Sequence, residues 1–176
     1  MFIHVINPNS DKRITDIIAS QVPTFIHDRY KLRFVTIEDA PLGIETDDEV
    51  AAANQSVFSY AMEQDNDDWI LSACFSDPGV KLLKDAGRPR VVGIAEAAMR
   101  TAQCISHKFG TISLSDSSTA RHNKYNKSLG TMSTSVGEVS VNHTVFDASD
   151  PNISGNQVIS AAKQLRSLGA GSVILG

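Results

Sequence analysis

"ILSACFSDPG", residues 70–79, sets an apolar run against a turn of small polar residues that opens toward a helix. The segment "WILSA" (69–73) has the length and apolar content of a buried strand. In the "SDPG" that follows, Asp77 suits an N-cap. Pro78 suits the first helical position, where a missing N–H costs nothing. A buried strand running straight into a helix is the building unit of a parallel α/β sheet.

The rest of the chain repeats that unit. Predicted strands are "FIHVI" (2–6), "LRFVTI" (32–37), "RVVGI" (90–94), "FGTISL" (109–114), "VSVNHTVF" (139–146) and "SVILG" (172–176). Between them lie helical patterns. Ile14, Ile17 and Ile18 share one face of a first helix. Thr46 and Glu49 of "TDDE" form a capping box for the next. Val158, Ala162 and Leu165 line a late helix that stops at Gly169. The alternation predicts an α/β protein with helices covering parallel sheets. After "RVVGI" the small residues of "AEAAM" suit a crossover. The expected architecture is therefore two similar lobes, residues 1–95 and 96–176, each with a small parallel sheet flanked by helices and a ligand cleft between them. A single flavodoxin-like sheet is the alternative.

Bulk properties narrow the function. The 176 residues carry a net charge of −4, which leaves no basic footprint for nucleic acid or an anionic membrane surface. No apolar run approaches the length of a membrane span. The opening "MFIHVINPNS" lacks the basic and small-residue parts of a signal peptide, so a cytoplasmic location is expected. Two cysteines, Cys74 and Cys104, are too few for a disulfide framework or a structural zinc site. The five histidines show no metal-ligand spacing, and "GAG" (169–171) is no phosphate loop. No metal and no cofactor are expected.

Ligands of open parallel sheets bind beyond the carboxyl ends of the strands. Three such ends carry candidates. "NPNS" (7–10) offers Asn9 and Ser10, "CFSDPG" offers Cys74 and Ser76, and "ISLSDSS" offers Ser113 and Ser115. A thiol just ahead of a helix N-terminus is poised to exchange a proton or to attack an electrophile. The competing reading makes Cys74 a small core hydrophobe. Cys104, in "AAMRTAQCISH", reads as buried helix filler. His122 and His143 read as solvent-exposed, and "EQDNDD" (63–68) as a solvated helix end. Glu96 either lines the cleft or begins a helix.

Taken together, "VINPNS", "GIE", "SACFSDPG", "VVGIAEAAM", "KFGTISLSD" and "GAGSVILG" resemble, in order, the hydantoin racemase branch of the aspartate/glutamate racemase superfamily, which includes allantoin racemase. The resemblance implies a cofactor-independent racemase or epimerase acting on a small carbonyl or amide substrate: a hydantoin, allantoin or an amino-acid-like carbon acid. Two cysteines on opposite sides of the stereocentre would trade its proton. Cys74 matches the first of them, Asn9 the amide after strand one, and Ser113 a hydroxyl after a strand. Members of the family run from "VILG" into the second cysteine, usually as "GCAGM". This sequence stops at Gly176, and Cys104 does not match that motif. The expectation is a second lobe short at its last strand and slow or absent racemisation. Self-association into a homo-oligomer would cover apolar surface exposed there. A decarboxylase or cis–trans isomerase on the same scaffold, and a non-catalytic ligand-binding relative, are the alternatives.

Overall fold

The computed structural model describes residues 1–144 and 151–176. The chain divides into two compact units, Met1–Ala95 and Glu96–Gly176.

The first unit is built on a four-stranded parallel sheet. Its strands are β1 (Ile3–Asn7), β2 (Leu32–Thr36), β3 (Trp69–Ser72) and β4 (Val91–Gly93), in the order β2-β1-β3-β4. Helices α1 (Lys12–Gln21), α2 (Thr24–Arg29), α3 (Asp47–Met62) and α4 (Val80–Asp85) make the connections. Helix α3 begins with the expected capping box: Thr46 Oγ1 accepts the Glu49 N–H, and the Glu49 carboxylate accepts the Thr46 N–H. Ala53, Val57 and Ala61 recur every four residues and turn one α3 face inward. They join Ile6, Ile37, Ile70, Val80, Leu83 and Val91 in one core. The first helix departs from its expected apolar face. Ile17 is exposed and Ile14 and Ile18 are only half-buried, while the buried residue of α1 is Thr15. Its hydroxyl is needed inside, where it meets the Asn7 amide at 3.1 Å and the Thr36 hydroxyl at 2.6 Å.

The second unit holds a three-stranded parallel sheet, β6-β5-β7, of β5 (Phe109–Ser113), β6 (Ser135–Ser140) and β7 (Ser172–Leu175). Helices α5 (Ile94–Ile105), α6 (Asp116–Leu129) and α7 (Pro151–Ser167) accompany it. The strand expected at 139–146 instead starts at Ser135, and residues 145 and 146 lie outside the described residues. Ser135 and Gly137 hid its start, because they supply no β-branched side chain, and a bulge opposite Phe109–Gly110 breaks the alternation. Ile112, Ala161 and Leu165 form the core on one sheet face, with Val139, Val158 and Ala162 against them. Helix α7 ends as expected: Gly169 takes φ +96°, and the Ala170 N–H closes on the Leu165 carbonyl at 3.1 Å.

The two units share a chain path. In each, the first strand is central, the second pairs on one side and the third returns to the other. The Ala73 N–H donates to the Ile6 carbonyl at 2.8 Å, and the Gly176 N–H donates to Ile112 at 2.8 Å. Asn7 therefore corresponds to Ser113, and Asn9 to Ser115. Two separate sheets form, and the alternative of one continuous sheet is not realised.

Candidate active site

In the order β2-β1-β3-β4 the winding reverses between β1 and β3. Open α/β sheets take ligands at such a switch point, beyond the carboxyl ends of the two strands. The loops leaving β1 and β3 carry Asn9, Ser10, Cys74 and Ser76, so four of the six candidates share one sheet edge. All four are partly exposed.

The β1 loop is organised by Asn7, which is 1% exposed. Its Nδ2 donates to Asn9 Oδ1 at 2.7 Å, to the Asp11 carbonyl at 3.0 Å and to Thr15 Oγ1 at 3.1 Å. Asp11, the N-cap of α1, accepts the Arg13 backbone N–H and holds the Arg13 guanidinium. Hydrogen bonds from that guanidinium, with its charge, keep the Asp11 carboxyl below its ordinary pKa. Ser10 is tied through its N–H to the Pro41 carbonyl at 3.0 Å.

The β3 loop differs from its expected form. Asp77 is not the N-cap of α4. It lies in the left-handed region at φ +46°, Gly79 follows at φ +79°, and Gly79 is the N-cap of an α4 that starts at Val80. The Cys74 carbonyl accepts the Asp77 N–H at 2.9 Å, so Cys74 opens a tight turn instead of leading into a helix. A turn therefore separates Cys74 from α4, which starts at Val80. The Asp77 carboxylate, buried, accepts the Ala95 N–H at 2.9 Å and pins the thiol loop to the first turn of α5. Ser72 Oγ donates to the Pro78 carbonyl at 3.0 Å and closes the loop from below.

The remaining two candidates lie in the other unit. Ser113 is the last residue of β5, not a loop residue, and is 1% exposed. Ser115 caps α6 and pairs its hydroxyl with Ser117 at 2.9 Å. Beneath Ser113 stands a buried Glu138 that receives Thr119 Oγ1 at 3.1 Å and faces His122 Nδ1 at 3.0 and 3.1 Å. Burial alone would raise the Glu138 carboxyl. Hydrogen bonding to His122, Ser113 and Thr119 outweighs burial and leaves its pKa lowered. The Ser113 hydroxyl is near enough to contribute to that shift yet forms no hydrogen bond of standard geometry.

His122 is thus a buried partner of Glu138, not a solvent-exposed side chain, and His143 is half-buried. Cys104 is exposed near the end of α5, so it is not helix filler. Asp68 in "EQDNDD" is buried against His4 at 3.1 Å and the Phe2 N–H at 2.5 Å. Glu96 sits in the first turn of α5. Sequence reasoning missed Asn7, Asp77 and Glu138. The doubled amide of "NPN" was the available signal for the first, "SDPG" marked Asp77 but for a different role, and nothing local marks Glu138. Among the described residues, no cluster of His, Cys, Asp and Glu could hold a metal, and no helix is long and apolar enough to cross a membrane.

Residues 3–176 match the family model described as Asp/Glu/Hydantoin racemase. The chain belongs to that family. Among racemases of known structure, allantoin racemase from Pseudomonas fluorescens superposes with a TM-score of 0.86 at 22% identity, over all of this chain and 76% of that one. Allantoin racemase from Klebsiella pneumoniae gives 0.86 at 21% identity, over all of this chain and 74% of that one. The Asp/Glu/hydantoin racemase fold is therefore shared, as two parallel sheets flanked by helices. Hydantoin racemase of Rhizobium meliloti is 29% identical over 114 residues, 64% of this chain and 47% of that protein. Hydantoin racemase of Paenarthrobacter aurescens is 29% identical over 118 residues, 65% of this chain and 50% of that protein. The chain spans about half the length of these curated relatives.

Proposed function

We propose that this chain carries one acid/base half of a cofactor-independent racemase or epimerase, with Cys74 as the proton-exchanging group and a hydantoin, a ureide such as allantoin or an amino-acid-like carbon acid as substrate. The observation that carries the reading is a partly exposed thiol beside Asn9, Ser10 and Ser76 at the β1/β3 switch point. Family membership and the hydantoin and allantoin racemases that the chain resembles support the substrate class.

The chemistry follows from what a carbon acid needs. The Cys74 thiolate takes the proton from the stereocentre: the C–H bond breaks, an S–H bond forms, and the electron pair moves onto the neighbouring carbonyl as an enolate. Fixed donors must then receive the developing oxyanion. Return of a proton from the same sulfur regenerates the starting configuration with exchanged hydrogen. Inversion takes a second acid on the opposite face. Cys104 is exposed near the end of α5, ahead of the start of β5, and does not match the motif of the family's second cysteine.

The test is solvent deuterium incorporation at C5 of an enantiopure 5-substituted hydantoin, followed by proton NMR. Exchange by the wild type that disappears in Cys74→Ala and persists in Cys104→Ser is the expected result. Equal rates for wild type and Cys74→Ala would overturn the assignment.

A further inference from the structure

We infer that Asn7 is a positioning residue that fixes the polarity of Asn9, so that the strand-tip amide turns its NH2 group to the crevice and selects a ligand presenting a carbonyl or enolate oxygen there. The inference rests on the reading of the Cys74 crevice as the substrate site, and it deepens that reading by naming the group recognised.

The two ends of a carboxamide look alike, but backbone groups have only one polarity. The Asp11 carbonyl can only accept, so the Asn7 atom 3.0 Å from it is the nitrogen. The Asn9 N–H can only donate, and it reaches the other Asn7 atom, Oδ1, at 3.3 Å. Asn7 is therefore locked, with three acceptors around its NH2 group and 1% exposure. The Asp11 N–H can only donate too, and it meets Asn9 Oδ1 at 3.0 Å. Asn7 Nδ2 donates to that same oxygen at 2.7 Å. Two donors thus saturate Asn9 Oδ1. The Asn9 NH2 group, on a partly exposed side chain, is what the loop leaves to a ligand.

A donor held this way costs no reorganisation when negative charge develops on a ligand oxygen, which is the requirement for stabilising an enolate. It also rejects a ligand that would present an N–H at this point, because two donors would face each other.

The experiment uses the 15N-labelled full chain and enantiopure 5-methylhydantoin as probe. The Asn9 side-chain NH2 signals are identified by their loss in Asn9→Asp. In the wild type they are expected to shift saturably on titration. Asn9→Asp keeps both incoming hydrogen bonds on one oxygen and turns its other oxygen to the crevice. Its thermal midpoint should hold while affinity for the probe falls about tenfold, the worth of one net hydrogen bond. In Asn7→Ala the Asn9 pair should move toward the position of solvent-exposed amides while the α3 backbone signals stay in place. Should Asn7→Ala fail to fold, Asn9→Asp decides alone. Probe-induced shifts at Cys74 and Ser76 that spare the Asn9 pair, or undiminished affinity in Asn9→Asp, would overturn the inference and leave the substrate reading standing. A probe that shifts none of these signals would overturn both.

Discussion

Asp77 lies directly over Gly93: a Cβ built on Gly93 would fall 2.1 Å from the Asp77 Cγ. The close approach lets the carboxylate reach the Ala95 N–H, and that bond ties the thiol-bearing loop to the first turn of α5. Gly93→Ala should therefore expel the carboxylate and destabilise the first unit by about 1–3 kcal/mol, the usual range for overpacking. Urea unfolding followed by the fluorescence of Trp69, the single tryptophan, measures it. In Asp77→Ala the obstacle is gone, so adding Gly93→Ala should cost much less than it does in the wild type. Additive effects would contradict the packing argument.

The same turn shows where the sequence was readable and where it was not. Strands β1, β3, β4 and β5 were legible because largely buried strands read as short apolar runs, and β7 because its apolar run persists although Val173 and Leu175 are exposed. The Thr46–Glu49 box and the Gly169 stop were legible because both partners lie within one helical turn. Asp77 was misread because an aspartate before proline looks the same whether its carboxylate caps the next helix or reaches residue 95. His122 and Asp68 were misread for the same reason: their partners stand 16 and 64 positions away. Four candidate site residues were legible because strand ends are local features. Asn7, the organiser beneath the β1 loop, has its partners within eight residues and was marked only by the doubled amide of "NPN". Glu138, beneath Ser113 in the second unit, acts through tertiary contacts that no local pattern encodes.

Glu138 should make the second unit acid-sensitive. Its carboxyl titrates below the ordinary 4.5, despite burial, because of hydrogen bonds to His122 and Thr119 and the nearby Ser113 hydroxyl. A depressed folded-state pKa contributes stability that is complete above 4.5 and is lost as pH falls through the folded value. Glu138→Gln should flatten the dependence of the unfolding midpoint on pH below 4.5, read by far-UV circular dichroism. At pH 7, Glu138→Ala should cost about 2 kcal/mol, since hydrogen bonds to a charged group are lost in a buried site.

His4 sets a different window in the first unit. Burial at 0% exposure lowers its pKa below 6.5, and Arg33 adds to the effect, while the Asp68 hydrogen bond opposes it only in part. The unfolded chain then binds a proton that the folded chain resists. Stability is complete above pH 6.5 and declines as pH falls from there through the folded value. The Trp69-detected midpoint should drop between pH 7 and pH 5, and His4→Gln should remove most of that slope. A wild-type midpoint unchanged across this range would rule out a buried neutral imidazole.

The sheet face of the second unit opposite Ile112 and Leu165 sets polar Thr111, Ser113 and Glu138 beside buried Phe109 and Ile174, which makes Thr111 informative. Thr111 is 1% exposed and pairs in register with Glu138, yet among the described residues its hydroxyl has no hydrogen-bond partner. A buried hydroxyl that has lost its water without gaining an acceptor weakens the fold. Valine keeps the branched shape that suits a central strand and removes the oxygen. Thr111→Val is therefore expected to raise stability by about 1 kcal/mol, the reverse of the usual sign for a Thr→Val exchange at a satisfied site. Because the substitution leaves Glu138, His122 and Ser113 in place, the acid-sensitive slope below pH 4.5 should survive in the variant. A loss of stability would mean that the hydroxyl is satisfied in solution, and a vanished slope would mean that Thr111 helps to hold the Glu138 charge.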